Sequence, residues 1–382
     1  MKCIRILVWI LCACLVSVAW GQQLAGKCIN NWSEFHRTNM MRWNPCEHVL
    51  NVNNVGSLQR KWSFKTTGGK FYLGPSPAVV NGIVYVGSLE NKVYALNART
   101  GAKLWSYTVG HSVTSSPAVS SGVVYVGSYD LNVYALNART GAKLWSYPTG
   151  GSVASSPAVA NGVVYVSSFD GSLYALNART GVLLWSYGSG GNMSSPAVAN
   201  GMVYVGSYDG NVYALDASTG TLLWSYDSGA VVDSSPAVAN GVVYVGSTDN
   251  KVYALNDSTG ALLWSYPTGG YVVSSPAVAN GVVYVGSNDK NVYALNASTG
   301  AKLWSYRTGK WVRSSPAVAN GVVYVGSLDN NVYAFNASSG ALLWSYTSGG
   351  SVASSPAVAN GVVYVGSDDG KVYTFGLKKG QK

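Results

Sequence analysis

The chain has 382 residues, of which 10% are charged and 48% hydrophobic, with 45 glycines and 27 tyrosines. So little charge and so many aromatic residues exclude a disordered chain, and the abundant glycine has no collagen-like period. The formal net charge is +10, and we interpret the excess as a solvated surface, since no nucleic-acid-binding motif accompanies it. We therefore predict a β protein of many short strands with no nucleic-acid partner.

The first 21 residues are typical of a secretory signal peptide. Lys2 and Arg5 precede an apolar run from Ile6 to Trp20, which is too short for a clear membrane span. Small residues before Gln22 place the predicted cleavage there. We expect an exported protein, periplasmic, on the cell surface or secreted. A retained N-terminal anchor is the alternative, and membrane association other than by a span stays open.

The next segment, 22–53, does not repeat, and we predict that it packs across the rest of the fold as a cap or an extra edge. It contains Cys28 and Cys46, the two cysteines left after signal cleavage. In an oxidising compartment two such cysteines pair, so we predict a disulfide between them. We predict no metal site, because about four ligands would be needed and the segment offers few imidazoles.

From there the chain is built of repeats. Each repeat contains Ser-Pro-Ala-Val, then Asn-Gly or a similar turn, Val-Val-Tyr-Val, an acidic turn, Val-Tyr-Ala-Leu, and Leu-Trp-Ser-Tyr. Four short strands per repeat of about 40 residues predict an all-β, eight-bladed β-propeller of four-stranded antiparallel blades. The prolines that mark the repeats lie 39 or 40 residues apart, at Pro77, Pro117, Pro157, Pro196, Pro236, Pro276, Pro316 and Pro356.

The ends of the repeat region indicate how the ring closes. The last repeat stops after Phe375, one strand short, whereas a surplus fourth-strand pattern around Trp62 precedes the first repeat. We predict that this N-terminal strand completes the last blade, which removes a free sheet edge. The propeller then spans 54–376, a basic tail spans 377–382, and we expect a monomer.

One motif in the repeats resembles that of a known family. Ala214, Asp216, Thr219, Gly220 and Trp224 match Ala-x-Asp-x-x-Thr-Gly-x-x-x-Trp, the tryptophan-docking motif of propellers of the pyrroloquinoline-quinone (PQQ) type. The other repeats carry close variants, mostly with Asn for the Asp. The resemblance implies that each motif tryptophan docks structurally onto a neighbouring blade: Trp62, Trp105, Trp145, Trp185, Trp224, Trp264, Trp304 and Trp344.

Candidate functional residues are those that differ between repeats. The linker before each Ser-Pro-Ala-Val varies most, and in a propeller it lies at the mouth of the central channel. One carboxylate, cations and aromatic rings there suit a small polar ligand or a peptide, although ordinary rim residues are the alternative. The predicted binding residues are Tyr72, Asp233, Tyr271, Lys310, Trp311 and Arg313.

The preferred function is a non-catalytic, exported binding or assembly scaffold for a protein or another envelope component, without a cofactor. It is similar in kind to the propeller lipoprotein of the outer-membrane β-barrel assembly machinery. The first alternative is a PQQ-dependent dehydrogenase of an alcohol or sugar, for which the resemblance implies PQQ, Ca²⁺ and a catalytic aspartate as base. Asp233 is the candidate for that base, with Arg313 as its partner, although no motif matches the metal ligands. Adjacent cysteines and a haem motif are missing for that role. The second alternative is a multivalent, lectin-like binder.

Overall fold

The computed structural model describes residues 30–36, 41–66, 74–378 and 380. The predicted signal peptide, Cys28 and Tyr72 lie outside these residues. The described residues form eight antiparallel four-stranded sheets: seven consist of consecutive strands, and the eighth takes its outer strand from the N-terminal side. One of the seven gains a fifth, parallel strand. This confirms the eight-bladed β-propeller. In the described residues no helix is both long and apolar enough to cross a bilayer.

Each blade runs from an inner strand at the channel to an outer strand at the rim, and blades one to eight are numbered in chain order. The inner strands are Ala78–Val80, Ala118–Ser120, Ala158–Ala160, Ala197–Ala199, Ala237–Ala239, Ala277–Ala279, Ala317–Ala319 and Ala357–Ala359. The second strands are Ile83–Ser88, Val123–Gly127, Val163–Ser167, Met202–Gly206, Val242–Gly246, Val282–Gly286, Val322–Gly326 and Val362–Ser367.

The third strands are Lys92–Asn97, Asn132–Asn137, Ser172–Asn177, Asn211–Asp216, Lys251–Asn256, Asn291–Asn296, Asn331–Asn336 and Lys371–Gly376. The outer strands are Lys103–Thr108, Lys143–Pro148, Leu183–Gly188, Leu222–Asp227, Leu262–Pro267, Lys302–Arg307, Leu342–Thr347 and, for blade eight, Gln59–Lys65. The second and third strands are buried on both faces, which explains their nearly continuous Val, Tyr, Ala and Leu.

At six of the eight junctions in the described residues, neighbouring blades are joined by two hydrogen bonds to one carbonyl, one from a tryptophan and one from a tyrosine. At the junction of blades five and six, Trp264 Nε1 donates to Ala297 O at 2.9 Å, and the Tyr244 hydroxyl donates to the same oxygen at 3.2 Å. A buried indole or phenol needs such a partner. The equivalent tryptophans make the same indole bond around the ring, so these side chains join the blades.

The strand Gln59–Lys65 closes the ring. It pairs antiparallel with Lys371–Gly376, the third strand of blade eight. Trp62 Nε1 donates to Ala98 O of blade one at 2.9 Å, and Trp344 Nε1 of blade seven donates to Leu58 O at 3.0 Å. The predicted closure by an N-terminal strand is therefore confirmed. The short 3₁₀ helix Val55–Ser57 precedes the strand.

The segment before this strand enters the channel, and we call residues 30–36 and 41–50 the plug. Its strand Trp43–Asn44 pairs parallel to the inner strand of blade seven. The plug also bonds the central valine of other inner strands: Val79 N donates to Trp32 O at 2.6 Å and Val119 N to Ser33 O at 2.8 Å. On the opposite side Val278 N donates to Met41 O at 2.8 Å. The plug therefore spans the channel.

Arg42 holds the plug in place from a fully buried position. Its guanidinium donates to Pro316 O at 2.8 Å, to Pro356 O at 3.0 Å, and to Phe35 O. It also lies over the Phe35 ring, 4.6 Å from the centroid. Burial lowers the pKa of Arg42 to about 9, so the group stays charged at neutral pH. A buried cation needs this many partners to offset its desolvation.

Candidate functional site

The antiparallel order of the strands gives the propeller two different faces. The linkers between blades and the hairpins between second and third strands lie on one face, which we call the linker face. A cavity of about 310 Å³ opens there in the channel. Phe35 of the plug contributes to its lining, so the channel is blocked below it. The lining also includes Gly74, Thr114, Asp233, Tyr271, Val273, Asn288, Arg313 and Ala353.

A belt of serines surrounds this cavity. They are the serines of Ser-Pro-Ala-Val, and seven of the eight accept a hydrogen bond from the backbone N–H of the matching serine one blade earlier, at 2.9–3.0 Å. The bond from Ser355 N to Ser76 Oγ closes the belt between blades eight and one. Because each hydroxyl accepts through a lone pair, its own O–H remains a donor. The wall is therefore polar, and among the described residues seven of the eight blades contribute such a serine to it.

Asp233 breaks this symmetry in the linker before blade five. Its Oδ1 accepts a hydrogen bond from the Tyr208 hydroxyl at 3.1 Å. The Asp233 side chain is exposed toward the channel, whose walls reduce the bulk water around the carboxylate. This loss of bulk solvent raises the pKa of Asp233, and the bond from Tyr208 and the charge of Arg313 oppose part of the rise.

Arg313 occupies the same repeat position before blade seven. Its Nε donates a long hydrogen bond of 3.4 Å to Asn288 Oδ1. The guanidinium lies over the Trp311 ring, 4.8 Å from the centroid, in a cation–π contact. Stacking on the ring holds the plane of the guanidinium while leaving N–H donors at its edge.

The predicted binding residues fall into two neighbouring groups. Asp233, Tyr271 and Arg313 line the channel cavity. Lys310 and Trp311 instead line a second, apolar cavity of about 260 Å³ on the same face. Tyr271 is 53% exposed and Trp311 44% exposed. The contact between Arg313 and Trp311 connects the two groups, whereas Tyr72 lies outside the described residues.

Sequence reasoning missed two residues that line the cavity, Phe35 and Asn288, and also Tyr208, which donates to Asp233. Tyr208 and Asn288 occupy the hairpin position just before Asp209 and Asp289, the turn aspartates that recur from repeat to repeat. That position differs from blade to blade, which is the signal that finds them. Phe35 carries no such signal, because its segment has no second copy in the chain for comparison.

Of the two cysteines in the predicted disulfide, Cys28 and Cys46, the structure describes Cys46 alone. Cys46 is disulfide-bonded and 9% exposed, in the plug. Asn44 Oδ1 accepts a hydrogen bond from Cys46 N at 3.0 Å, which fixes the local turn. Because Cys28 lies outside the described residues, its pairing with Cys46 stays a prediction.

The residues of the channel do not fit a calcium ion. Calcium takes about six to eight oxygen ligands, several of them carboxylate, and Asp233 is the one acidic side chain among the described residues lining the cavity. Throughout the described ranges, no three His, Cys, Asp or Glu side chains lie together as metal ligands would. The calcium that the quinoprotein resemblance implies therefore has no matching donor set here.

Comparison with known proteins identifies the repeat family. Residues 49–156, 132–233, 209–314 and 307–382 match the family model described as outer membrane protein assembly factor BamB. Quinoprotein alcohol dehydrogenase PedH from Pseudomonas putida is 40% identical over 68 residues, which cover 17% of this chain and 11% of the relative. The match thus spans a small part of that longer enzyme.

Solved structures of two functional classes share the fold. BamB from Moraxella catarrhalis gives a TM-score of 0.74 at 22% identity, covering 84% of this chain and 100% of that chain. Quinohemoprotein alcohol dehydrogenase from Comamonas testosteroni gives a TM-score of 0.81 at 18% identity, covering 91% and 80%. At these identities the likeness shows the fold alone.

Proposed function

The chain belongs to the PQQ-like β-propeller family whose model is described as outer membrane protein assembly factor BamB, and from this premise we propose that it is an exported, non-catalytic scaffold. It binds a protein or another envelope component through its linker face. The family description, which names an assembly factor, supports a role in holding partners. The proposal that it acts in the envelope rests on the same description and on the predicted signal peptide.

The observation that carries this proposal is the break in repeat symmetry on the linker face. Elsewhere the blades repeat the same residues, but here Tyr271 and Trp311 stand 53% and 44% exposed beside Arg313. Exposed aromatic rings next to an arginine are the side chains that contribute most to protein interfaces. A scaffold that presents them on one face has a defined place for a partner.

A pull-down from envelope extract tests the scaffold. The mature protein should retain partners that the double variant Trp311→Ala with Arg313→Ala loses, since both side chains would be central to the interface. The matched control is Leu303→Ala with Arg307→Ala on the outer strand of blade six, where Leu303 is 51% exposed. Equal capture by both variants would place the interface elsewhere.

A quinoprotein dehydrogenase is the second candidate, and the identity to PedH favours it. Asp233 is the residue that would act as base, because loss of solvent raises its pKa. Titration of the mature protein with PQQ and Ca²⁺, followed by an alcohol–dye reduction assay, tests this role. Turnover that Asp233→Asn abolishes would replace the scaffold proposal, and we expect none.

A further inference from the structure

Asp233 and Arg313 face one cavity with opposite charges and form no ion pair with each other. The two ion pairs among the described residues are Lys251–Asp249 and Lys371–Asp369, both elsewhere. A carboxylate and a guanidinium that share a partly desolvated space attract each other strongly. That they remain apart needs a structural reason, and the contacts of each side chain supply one.

Each charge is held on its own side of the cavity by a neighbour. The Tyr208 hydroxyl, from the hairpin of blade four, donates to Asp233. Trp311 holds Arg313 by stacking, and Asn288 accepts its Nε–H. The two residues belong to the linkers before blades five and seven, with the linker of blade six between them. The cavity thus presents a fixed anion and a fixed cation with a gap for a third molecule.

Both charged groups keep unused hydrogen-bonding capacity. A carboxylate has about four lone-pair sites and a guanidinium has five N–H donors. Asp233 uses one oxygen for Tyr208, and Arg313 uses its Nε, so the remaining carboxylate oxygen and the Nη groups make no other hydrogen bond to the described residues. Charged groups left this way in a confined site gain most from a ligand of opposite charge.

We propose that this cavity binds a small zwitterion, whose ammonium group lies against Asp233 and whose carboxylate lies against Arg313. This inference rests on the proposed binding role of the linker face. A volume of about 310 Å³ is at the lower end of ligand sites, which fits a free α-amino acid or a dipeptide. Tyr271 and Phe35 supply apolar surface for a side chain, and the serine belt supplies hydroxyls.

The charges favour a zwitterion over simpler ligands. A metal cation or an amine would compensate the charge of Asp233 and leave the charge of Arg313 uncompensated. An inorganic anion would do the reverse, and a neutral sugar would take water from both charges without replacing either interaction, which costs free energy. A molecule that carries both charges compensates both groups in one binding event.

Isothermal titration of the mature protein tests the proposal with matched ligands. L-leucine, L-phenylalanine and the dipeptide Gly-Leu are compared with N-acetyl-leucine, which lacks the ammonium, and leucinamide, which lacks the carboxylate. We expect at least one zwitterion to bind, and its blocked forms to bind at least ~10-fold more weakly, which corresponds to about 1.4 kcal/mol per lost charge contact. Whether the amino acid or the dipeptide binds better reports the spacing of the charges.

Variants assign each end of the ligand. Asp233→Asn should weaken binding of the zwitterion ~10-fold or more and leave binding of N-acetyl-leucine, which has no ammonium, unchanged. Arg313→Gln should likewise weaken binding of the zwitterion ~10-fold or more and leave binding of leucinamide, which has no carboxylate, unchanged. Asp227→Asn and Arg307→Gln change the same residue types on exposed outer strands and should bind like the unchanged protein. Thermal melting verifies that every variant is folded.

The inference is overturned if folded protein binds no zwitterion at millimolar concentration, or if each variant weakens blocked and unblocked ligands equally. These failures are separable from failure of the scaffold. Partner capture that depends on Trp311 and Arg313, with no zwitterion bound, would leave the scaffold proposal standing alone. Zwitterion binding without any captured partner would reject the scaffold and retain the ligand site.

Discussion

The motif glycines illustrate how a single residue joins two blades. Gly260 has φ of +71°, and a Cβ built on it would lie 2.6 Å from the Trp224 ring of the preceding blade. This position therefore requires glycine for two reasons, the left-handed backbone conformation and the close approach of the indole ring. The same pair recurs around the ring, for example at Gly300 under Trp264.

Gly260→Ala should destabilise the protein more than Gly281→Ala. Gly281 has φ of +75° but nothing within 4 Å of its built Cβ. Both variants suffer the left-handed strain of about 1–2 kcal/mol, but only Gly260→Ala adds a clash of about 1–3 kcal/mol with Trp224. Differential scanning calorimetry measures the two Tm values. Equal losses would mean that the indole moves aside at no cost.

The sequence predicts residues of the cavity where the repeats disagree. Asp233 and Arg313 differ from all other residues at their repeat position, Tyr271 differs from all except Tyr72, and all three line the cavity. Lys310 and Trp311 stand out equally but line the neighbouring cavity. Sequence spacing places a backbone position on the linker face, whereas the direction of the side chain depends on contacts such as the stacking of Arg313 on Trp311.

At the scale of elements, the plug carries buried ionisable side chains. Glu34 and His36 are 5% and 2% exposed. Burial raises the pKa of Glu34 to about 8, although Val159 N donates to its Oε2 at 3.1 Å. Burial and the charge of Arg42 lower the pKa of His36 to about 3. At neutral pH both groups are therefore mainly uncharged inside the channel.

Stability should fall between pH 6.5 and 8 because of Glu34. An unfolded glutamate ionises near pH 4.5, whereas folded Glu34 stays protonated to about pH 8, so unfolding releases a proton in this interval and rising pH favours it. The loss is up to about 1.4 kcal/mol per pH unit. His36 opposes the trend only below pH 6.5, where the unfolded imidazole takes up a proton.

Thermal melts at pH 6.5 and 8 verify this dependence. Glu34→Gln should melt at nearly the same temperature at both values, because Gln does not ionise. The control Asp227→Asn changes an exposed carboxylate and should keep the fall of the unchanged protein. Parallel pH curves for the unchanged protein and Glu34→Gln would contradict a raised pKa at Glu34.

The sequence predicts the plug only as a cap or an extra edge. Its segment has no repeat for comparison and no strand periodicity, and its pairing partners are backbone groups of inner strands far along the chain. Such long-range contacts cannot be predicted from the local sequence. In contrast, the individual strands of the blades can be predicted, because the pattern of turns and docking tryptophans occurs eight times in the sequence.

At the scale of the whole molecule, the ring depends on one strand from the N-terminal side. Gln59–Lys65 carries Trp62, which bonds blade one, and follows Leu58, which accepts the bond of Trp344 from blade seven. Both junctions of blade eight thus rest on a segment that is remote in sequence from its other three strands.

Deleting residues 50–64 should lower the Tm by at least about 10 °C. The deletion removes a strand and two indole contacts, each worth roughly 3–5 kcal/mol when buried, and about 1 kcal/mol shifts the Tm by a few degrees in a protein of this size. Trp304→Ala, which removes one equivalent contact inside the ring, is the control and should cost less. A deletion that melts no lower than this control would argue against the closure.

The plug also has a consequence for the number of blades in the ring. The plug bonds Val79 and Val119 on one side of the channel and Val278 and Val318 on the other. In a ring of another size these valines would stand at other angles and distances, and one segment could not reach both sets. The plug is therefore matched to a ring of eight blades, and a chain with one blade more or fewer should lose part of these hydrogen bonds.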